Sequence, residues 1–151
     1  MKILKNGETK GFVSNMTVLV DTNILIDIYA NRKDFIENSL NALKLAISQY
    51  ARLYISCSSI TDFHYNLSKS LHSKEKAKEL VIDLLKWVRL AKVDDNCIYS
   101  AISSNMNDFE DAVIDAVATN VGADFILTRN KKDFINANNK VLSPEEYLQQ
   151  Y

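Results

Sequence analysis

The chain has 151 residues, a formal net charge of −1 at pH 7, 47% hydrophobic and 25% charged residues. This is the length of one domain, able to bury roughly 70% of its unfolded surface without a disulfide or structural metal. The near-zero charge leaves any phosphate binding to local patches or to a metal, three glycines and one proline argue against a loop-rich all-β fold, and no apolar run approaches the ~18 residues of a membrane span.

Residues 1–15 are polar and carry two of the three glycines. They lack an apolar signal core and are set aside as a leader or tag, expected to be disordered. Met16, directly before the first apolar run, is the candidate natural start, and residues 16–151 form the expected domain.

Val18-Leu-Val20 then reads as a short strand buried on both faces. Acids and amides are disfavoured inside strands, so Asp21 belongs at its C-terminal end, where open α/β sheets bind ligands. Thr22 or Asn23 is the expected cap of a helix through Ile24, Leu25, Ile26 and Ile28. The competing reading makes Asp21 itself a turn or capping residue. A second helix follows from Asp34, its N-cap, with Ile36, Leu40, Leu43, Ile47 and Tyr50 at helical spacing.

Arg52–Cys57 alternates and reads as strand two. Ser58 and Ser59 are the caps of a helix with Ile60, Phe63, Leu67 and Leu71 on one face. Asp62 fits a capping box with Ser59, and it also sits one turn into a helix after a strand, at the same sheet edge as Asp21. Ser73 caps a further helix with a wide apolar stripe from Ala77 to Val88. Leu90–Val93 is strand three, and Ile98, Ala101 and Ile102 suggest a short helix. His64 and His72 read as surface histidines. Cys57 and Cys97 have no metal-ligand spacing and read as buried free thiols of a cytosolic protein.

Asp108–Asn120 is a helix that Gly122 terminates. Phe109, Ala112, Val113, Ala116 and Val117 share one face; Asp108, Asp111 and Asp115 share another. Like charges so spaced repel by a few tenths of a kcal/mol per pair. The helix N-terminus offsets this for Asp108 and Asp111 but not for Asp115. Asp124–Thr128 is strand four, and its end runs into Arg129-Asn130-Lys131-Lys132-Asp133-Phe134. Thr128, Asn130 and Asp133 project near the edge that carries Asp21, and Arg129, Lys131 and Lys132 are candidate phosphate binders. Val141-Leu142 is a fifth strand. Ser143-Pro144-Glu145-Glu146 has cap, first-turn proline and capping-box acid in register for a last helix. Strands alternating with helices imply an α/β fold, a mainly parallel sheet covered on both sides in three α/β/α layers.

Several carboxylates converging without paired arginines raise one another's pKa values, and a hard divalent cation relieves this. Oxygen-only ligands select Mg²⁺ or Mn²⁺ over Zn²⁺. No Ser–His or Cys–His arrangement offers a rival nucleophile. A receiver-type phosphoacceptor also places acids at strand ends. It needs an acid pair before the first helix and a lysine ending the last strand, whereas Asp21 has no N-terminal acidic neighbour and Lys140 precedes that strand.

Taken together, Val20-Asp21-Thr22-Asn23, Asp62 on a later helix, Asp108-Phe109-Glu110-Asp111-Ala112 and Thr128-Arg129-Asn130-Lys131-Lys132-Asp133-Phe134 resemble the motifs of a PIN domain, over residues 16–148. The family usually has glutamate where Asp62 stands, and some members carry an acid at the place of Asn130. The resemblance implies an Mg²⁺- or Mn²⁺-dependent endoribonuclease with Asp21, Asp62, Asp111 and Asp133 catalytic and Asp21, Asp111 and Asp133 on the metal. Asn23, Asp115, Thr128 and Asn130 are supports, with Asp115 and Asp133 competing for the fourth carboxylate. Small stand-alone members resemble VapC-type toxins, usually homodimers held inactive by an antitoxin, so RNA, an antitoxin and a second copy are the expected partners. A PIN domain that binds nucleic acid without cutting it is the alternative.

Overall fold

The computed structural model describes residues 16–150, so the expectation for the leader lies outside the described residues. Five strands form one parallel sheet in the order β3-β2-β1-β4-β5. They are β1 Thr17–Val20, β2 Arg52–Ser56, β3 Arg89–Ala91, β4 Phe125–Leu127 and β5 Val141–Leu142. The sheet's middle is β1, with Leu19 beside Tyr54 on one flank and Ile126 on the other. All four of its residues are buried, as a short β-branched run between covered faces requires.

Side chains alternate across the pleat and sort the helices into two layers. Val18 and Val20 face the layer of α1 (Thr22–Tyr29), α2 (Ile36–Ser48), α3 (Cys57–Leu71), α4 (Lys74–Leu84) and α7 (Pro144–Gln150). Leu19 and Ile126 face α5 (Asp95–Ile102) and α6 (Phe109–Asn120). The three-layer α/β/α architecture is therefore the observed one. Strand order runs outward from β1 in both directions, and this reversal opens a crevice at the strands' C-terminal ends.

Local chemistry ends the helices much as expected. Ser73 accepts from Lys76 N to start α4, and Ser143 and Glu146 form the reciprocal capping box of α7. Gly122 takes φ +63 just past α6. Three details differ. The helix after β1 is capped by Asp21 rather than Thr22 or Asn23. Phe35, not Asp34, precedes α2, with no side-chain cap. Ser56 caps α3 through Ser58 N, so the helix starts early and Asp62 lies in its second turn, beyond the reach of a capping box with Ser59. The same early start leaves Cys57 exposed, while Cys97 is buried as expected. No described helix is long and apolar enough to cross a membrane.

Candidate active site

Asp21 occupies the turn from β1 into α1, in extended backbone (φ −72, ψ 148). Its N–H donates to Leu127 O of β4, continuing the sheet by one rung. One carboxylate oxygen, Oδ1, accepts from Thr22 N at 2.7 Å and caps α1. The other, Oδ2, accepts from Thr128 Oγ1 at 2.7 Å and Asn23 Nδ2 at 3.0 Å. Thr128 is fully buried at the end of β4, and its hydroxyl also accepts from Asn130 N at 3.1 Å. Asn23 Oδ1 in turn accepts from Arg129 N at 3.2 Å. A closed set of hydrogen bonds thus joins the ends of the two central strands and holds Asp21 in a single orientation.

Around Asp21 lies an open cleft of about 350 Å³ lined by Asp21, Asp62, Asp108, Glu110, Asp111 and Asp133, with Thr22, Asn23, Ile26, Asn66 and Asn130. Four segments contribute: the β1–α1 turn, α3, the start of α6 and the 3-10 turn Lys131–Phe134 after β4. None of the lining residues is a lysine or arginine. Burial raises the Asp21 carboxyl above the ordinary aspartate range, against the pull of Thr128 and Thr22. Asp111 is pushed up to about 7, first by burial and then by the charges of Asp21, Asp108, Asp133 and Glu110. Burial and the neighbouring Asp62 raise Glu110 as well.

The structure thus brings Asp21, Asp62, Asp111 and Asp133 into one cleft, with Asn23 and Asn130 on its wall and Thr128 behind Asp21. It adds Glu110 and Asp108, neither of which is among the site residues expected from the sequence. Asp108 does cap α6 through Asp111 N at 3.0 Å, yet it faces the cleft as well. The sole signal for Glu110 was its place beside Asp111 in the first turn.

Three expected site residues lie elsewhere or are already engaged. Asp115 is buried, 3% exposed, and does not line the cleft. Its carboxylate accepts from Asn138 N at 2.8 Å, Asn139 N at 3.0 Å and Asn139 Nδ2 at 2.8 Å, closing the loop before β5. This corrects its reading as a site acid: backbone donors satisfy it, and Asp133 takes the cleft position.

Arg129 is not a free phosphate binder. Its Nε and Nη2 donate to Asp27 Oδ2 and Oδ1 at 2.9 and 3.1 Å, and its guanidinium lies 3.9 Å over the Phe35 ring. Asp27 is fully buried on α1 and also receives Ser39 Oγ at 3.1 Å, with Arg32 at 3.7 Å. Lys131 is held by Glu146 at 2.7 Å in a half-exposed pair. Lys132 is exposed and enters no ion pair among the described residues.

The donor set fits a hard divalent cation: every cleft acid offers oxygen, and their mutual repulsion is what such an ion removes. Asp21, Asp111 and Asp133 would hold it. Among the described residues no three acidic, histidine or cysteine side chains already surround one point at ligand distance.

A family model described as PIN domain matches residues 17–132. The ribonuclease VapC1 of Aquifex aeolicus (strain VF5) is 27% identical over 141 residues, covering 89% of this chain and 94% of that protein. Among solved structures, VapBC2 from Rickettsia felis, bound to a DNA fragment from its promoter, superposes with a TM-score of 0.68 at 19% identity, over 85% of this chain and 98% of its own. A toxin–antitoxin complex from Klebsiella pneumoniae gives a TM-score of 0.64 at 21% identity, over 84% and 97%.

Proposed function

The chain belongs to the PIN domain family, and from that premise we propose that it is an endoribonuclease dependent on Mg²⁺ or Mn²⁺, acting as the toxin of a toxin–antitoxin module. The observation that carries this reading is the cleft itself: six carboxylates and no cation at the C-terminal edge of the sheet. A binding surface for RNA would not line itself with acids, since each repels phosphate. A cleavage site that recruits a divalent ion would.

A bound divalent cation supplies Lewis acidity toward water and the scissile phosphate. The chain's own residues do the rest. Thr128 and Asn23 fix Asp21 Oδ2, so that this carboxylate enters the site pre-oriented. Asp111 is raised to about 7 in the metal-free cleft, and a bound cation would favour its ionised form, the form that holds the ion. Asp62 and Glu110 interact across the cleft, and this favours the neutral, proton-carrying form of Glu110. Lys132, on the 3-10 turn, offers a charge to a neighbouring phosphate. The substrate is single-stranded or loop RNA, whose unstacked bases reach an open cleft.

The relative named as a ribonuclease and the neighbouring toxin–antitoxin complex support the activity and an antitoxin partner. A homodimer and a cytoplasmic location complete the proposal. The alternative, a PIN domain that binds nucleic acid without cutting, draws on the aspartate at position 62 and the unconverged acids. Purified protein is incubated with labelled structured RNA in Mn²⁺ or in EDTA, beside Asp111→Asn. The expectation is cleavage in Mn²⁺ only, and none by the variant. Equal cleavage in EDTA or by Asp111→Asn defeats the proposal, and RNA binding without cleavage favours the alternative.

A further inference from the structure

The cleft gives a polyanion nothing to grip at the point of cutting. Arg129 is held by Asp27 and Lys131 by Glu146. Lys132 supplies one charge on the side of the 3-10 turn. The opposite wall is α3, where Asp62 and Asn66 line the cleft. Lys69 follows Asp62 by one heptad, about 20° short of two full turns and about 10 Å along the axis. It therefore continues the stripe on which Asp62 and Asn66 lie.

There α3 meets α4 over a second pocket, about 460 Å³, lined by Tyr65, Ser68, Lys69, His72, Lys74 and Glu75 among others. Tyr65 is 55% exposed, and the Lys69 ammonium lies 4.7 Å from its ring centroid. His72 ends α3 with φ 51, a left-handed conformation uncommon for a non-glycine residue. The turn is braced by His64 Nε2 against Lys74 O at 3.3 Å. Neither Lys69 nor Lys74 enters an ion pair among the described residues, and Glu75 is the one acid of the lining.

We propose that this pocket is the subsite for RNA flanking the cut, an inference that rests on the ribonuclease reading. One base stacks on Tyr65, and the adjoining phosphates meet Lys69 and Lys74. An exposed aromatic ring interleaved with cations is the arrangement that holds single-stranded nucleic acid without reading its sequence. Continuity with Asp62 and Asn66 along one helix stripe favours RNA over an acidic peptide, which has no need of a path into a carboxylate cleft. The acids thus act at the scissile bond while α3 carries the strand away from them.

The test uses the protein with a labelled single-stranded RNA of about 12 nucleotides, enough to span both sites, and with a dinucleotide that cannot. Anisotropy in EDTA measures affinity, and Mn²⁺ then starts cleavage. Lys69→Ala/Lys74→Ala is expected to weaken the long RNA about tenfold at low salt. Its log–log salt slope should flatten by about 1.4, two contacts at about 0.7 each for a single strand. Tyr65→Ala should weaken it about five- to a hundredfold with the slope unchanged. KM for the long RNA should rise in each variant with kcat preserved, and cleavage of the dinucleotide in Mn²⁺ should not change. If wild type cuts RNA and the variants match it in affinity, slope and KM, the subsite is refuted while the ribonuclease reading stands. If wild type cuts no RNA, that reading fails and the subsite with it. If the variants lose poly-glutamate binding but keep RNA binding, the pocket belongs to an acidic protein partner and the proposal is overturned.

Discussion

Neutralising Asp111 should remove a pH-dependent weakness of the metal-free protein. The folded state keeps a proton on Asp111 up to about pH 7. The unfolded chain releases it near the ordinary value of about 3.9. The folded state thus binds more protons across this window, and stability falls as pH rises through it. This contribution is complete below about pH 4 and gone above about pH 8. Undamped, the displacement amounts to about 4 kcal/mol at about 1.36 kcal/mol per pH unit. Asp111 is only half-buried in an open cleft, so solvent screening leaves about 1–2 kcal/mol. Urea denaturation in EDTA at pH 5 and pH 8 measures it. Wild type should lose about two-thirds of that amount, about 1 kcal/mol, between pH 5 and pH 8, and Asp111→Asn should lose markedly less. Mn²⁺ should restore wild type at pH 8 and not the variant. Parallel pH–stability curves for the two proteins would show that burial and the neighbouring acids do not raise Asp111 as argued.

Four further outcomes follow from the same contacts. Asp21→Asn should abolish the Mn²⁺ binding seen by calorimetry, and undiminished binding would remove Asp21 from the metal site. Arg129→Ala leaves Asp27 buried with only its weaker partners and should cost about 3–5 kcal/mol in urea denaturation; a loss under 1 kcal/mol with weakened RNA binding would return Arg129 to the phosphate. Asp115→Ala strands the N–H groups of Asn138 and Asn139, so a stability loss of about 1–3 kcal/mol or more is expected, and a Mn²⁺-soaked crystal should show Asp133, not Asp115, within about 2.3 Å of the ion.

What could be read from the sequence was what neighbours along the chain decide. The apolar run before Asp21, the Ser143–Glu146 capping box and the Gly122 stop depend on a few adjacent residues, and each formed as read. The cleft acids could be placed because strand ends and helix starts of a parallel sheet converge on one edge. Asp115 was misread because helical spacing puts it on the face of Asp111 without revealing the loop that packs there. Its donors, Asn138 and Asn139, come more than twenty residues later. Asp27 has no role legible in the sequence around it. Its guanidinium partner is 102 residues away, a separation at which no local pattern carries information. Asp34 failed as a cap because the turn ahead of α2 extends one residue further than its side chain serves.

The bond from Thr128 to Asp21 spans 107 residues, and this dictates when the site comes into being during synthesis. A ribosome that has completed β1, β2 and β3 has made Asp21, Asp62 and their helices, but not β4, which lies against β1 in the finished sheet. The emerging chain must keep β1 as the edge of its sheet through more than a hundred residues, a non-local closure that slows folding. Until Phe125–Leu127 docks on that edge, Asp21 lacks both the β4 neighbour and the hydroxyl that orients it. A nascent or prematurely ended chain that stops short of Thr128 thus lacks an oriented Asp21, and the cleft is complete only when β4 has docked on β1.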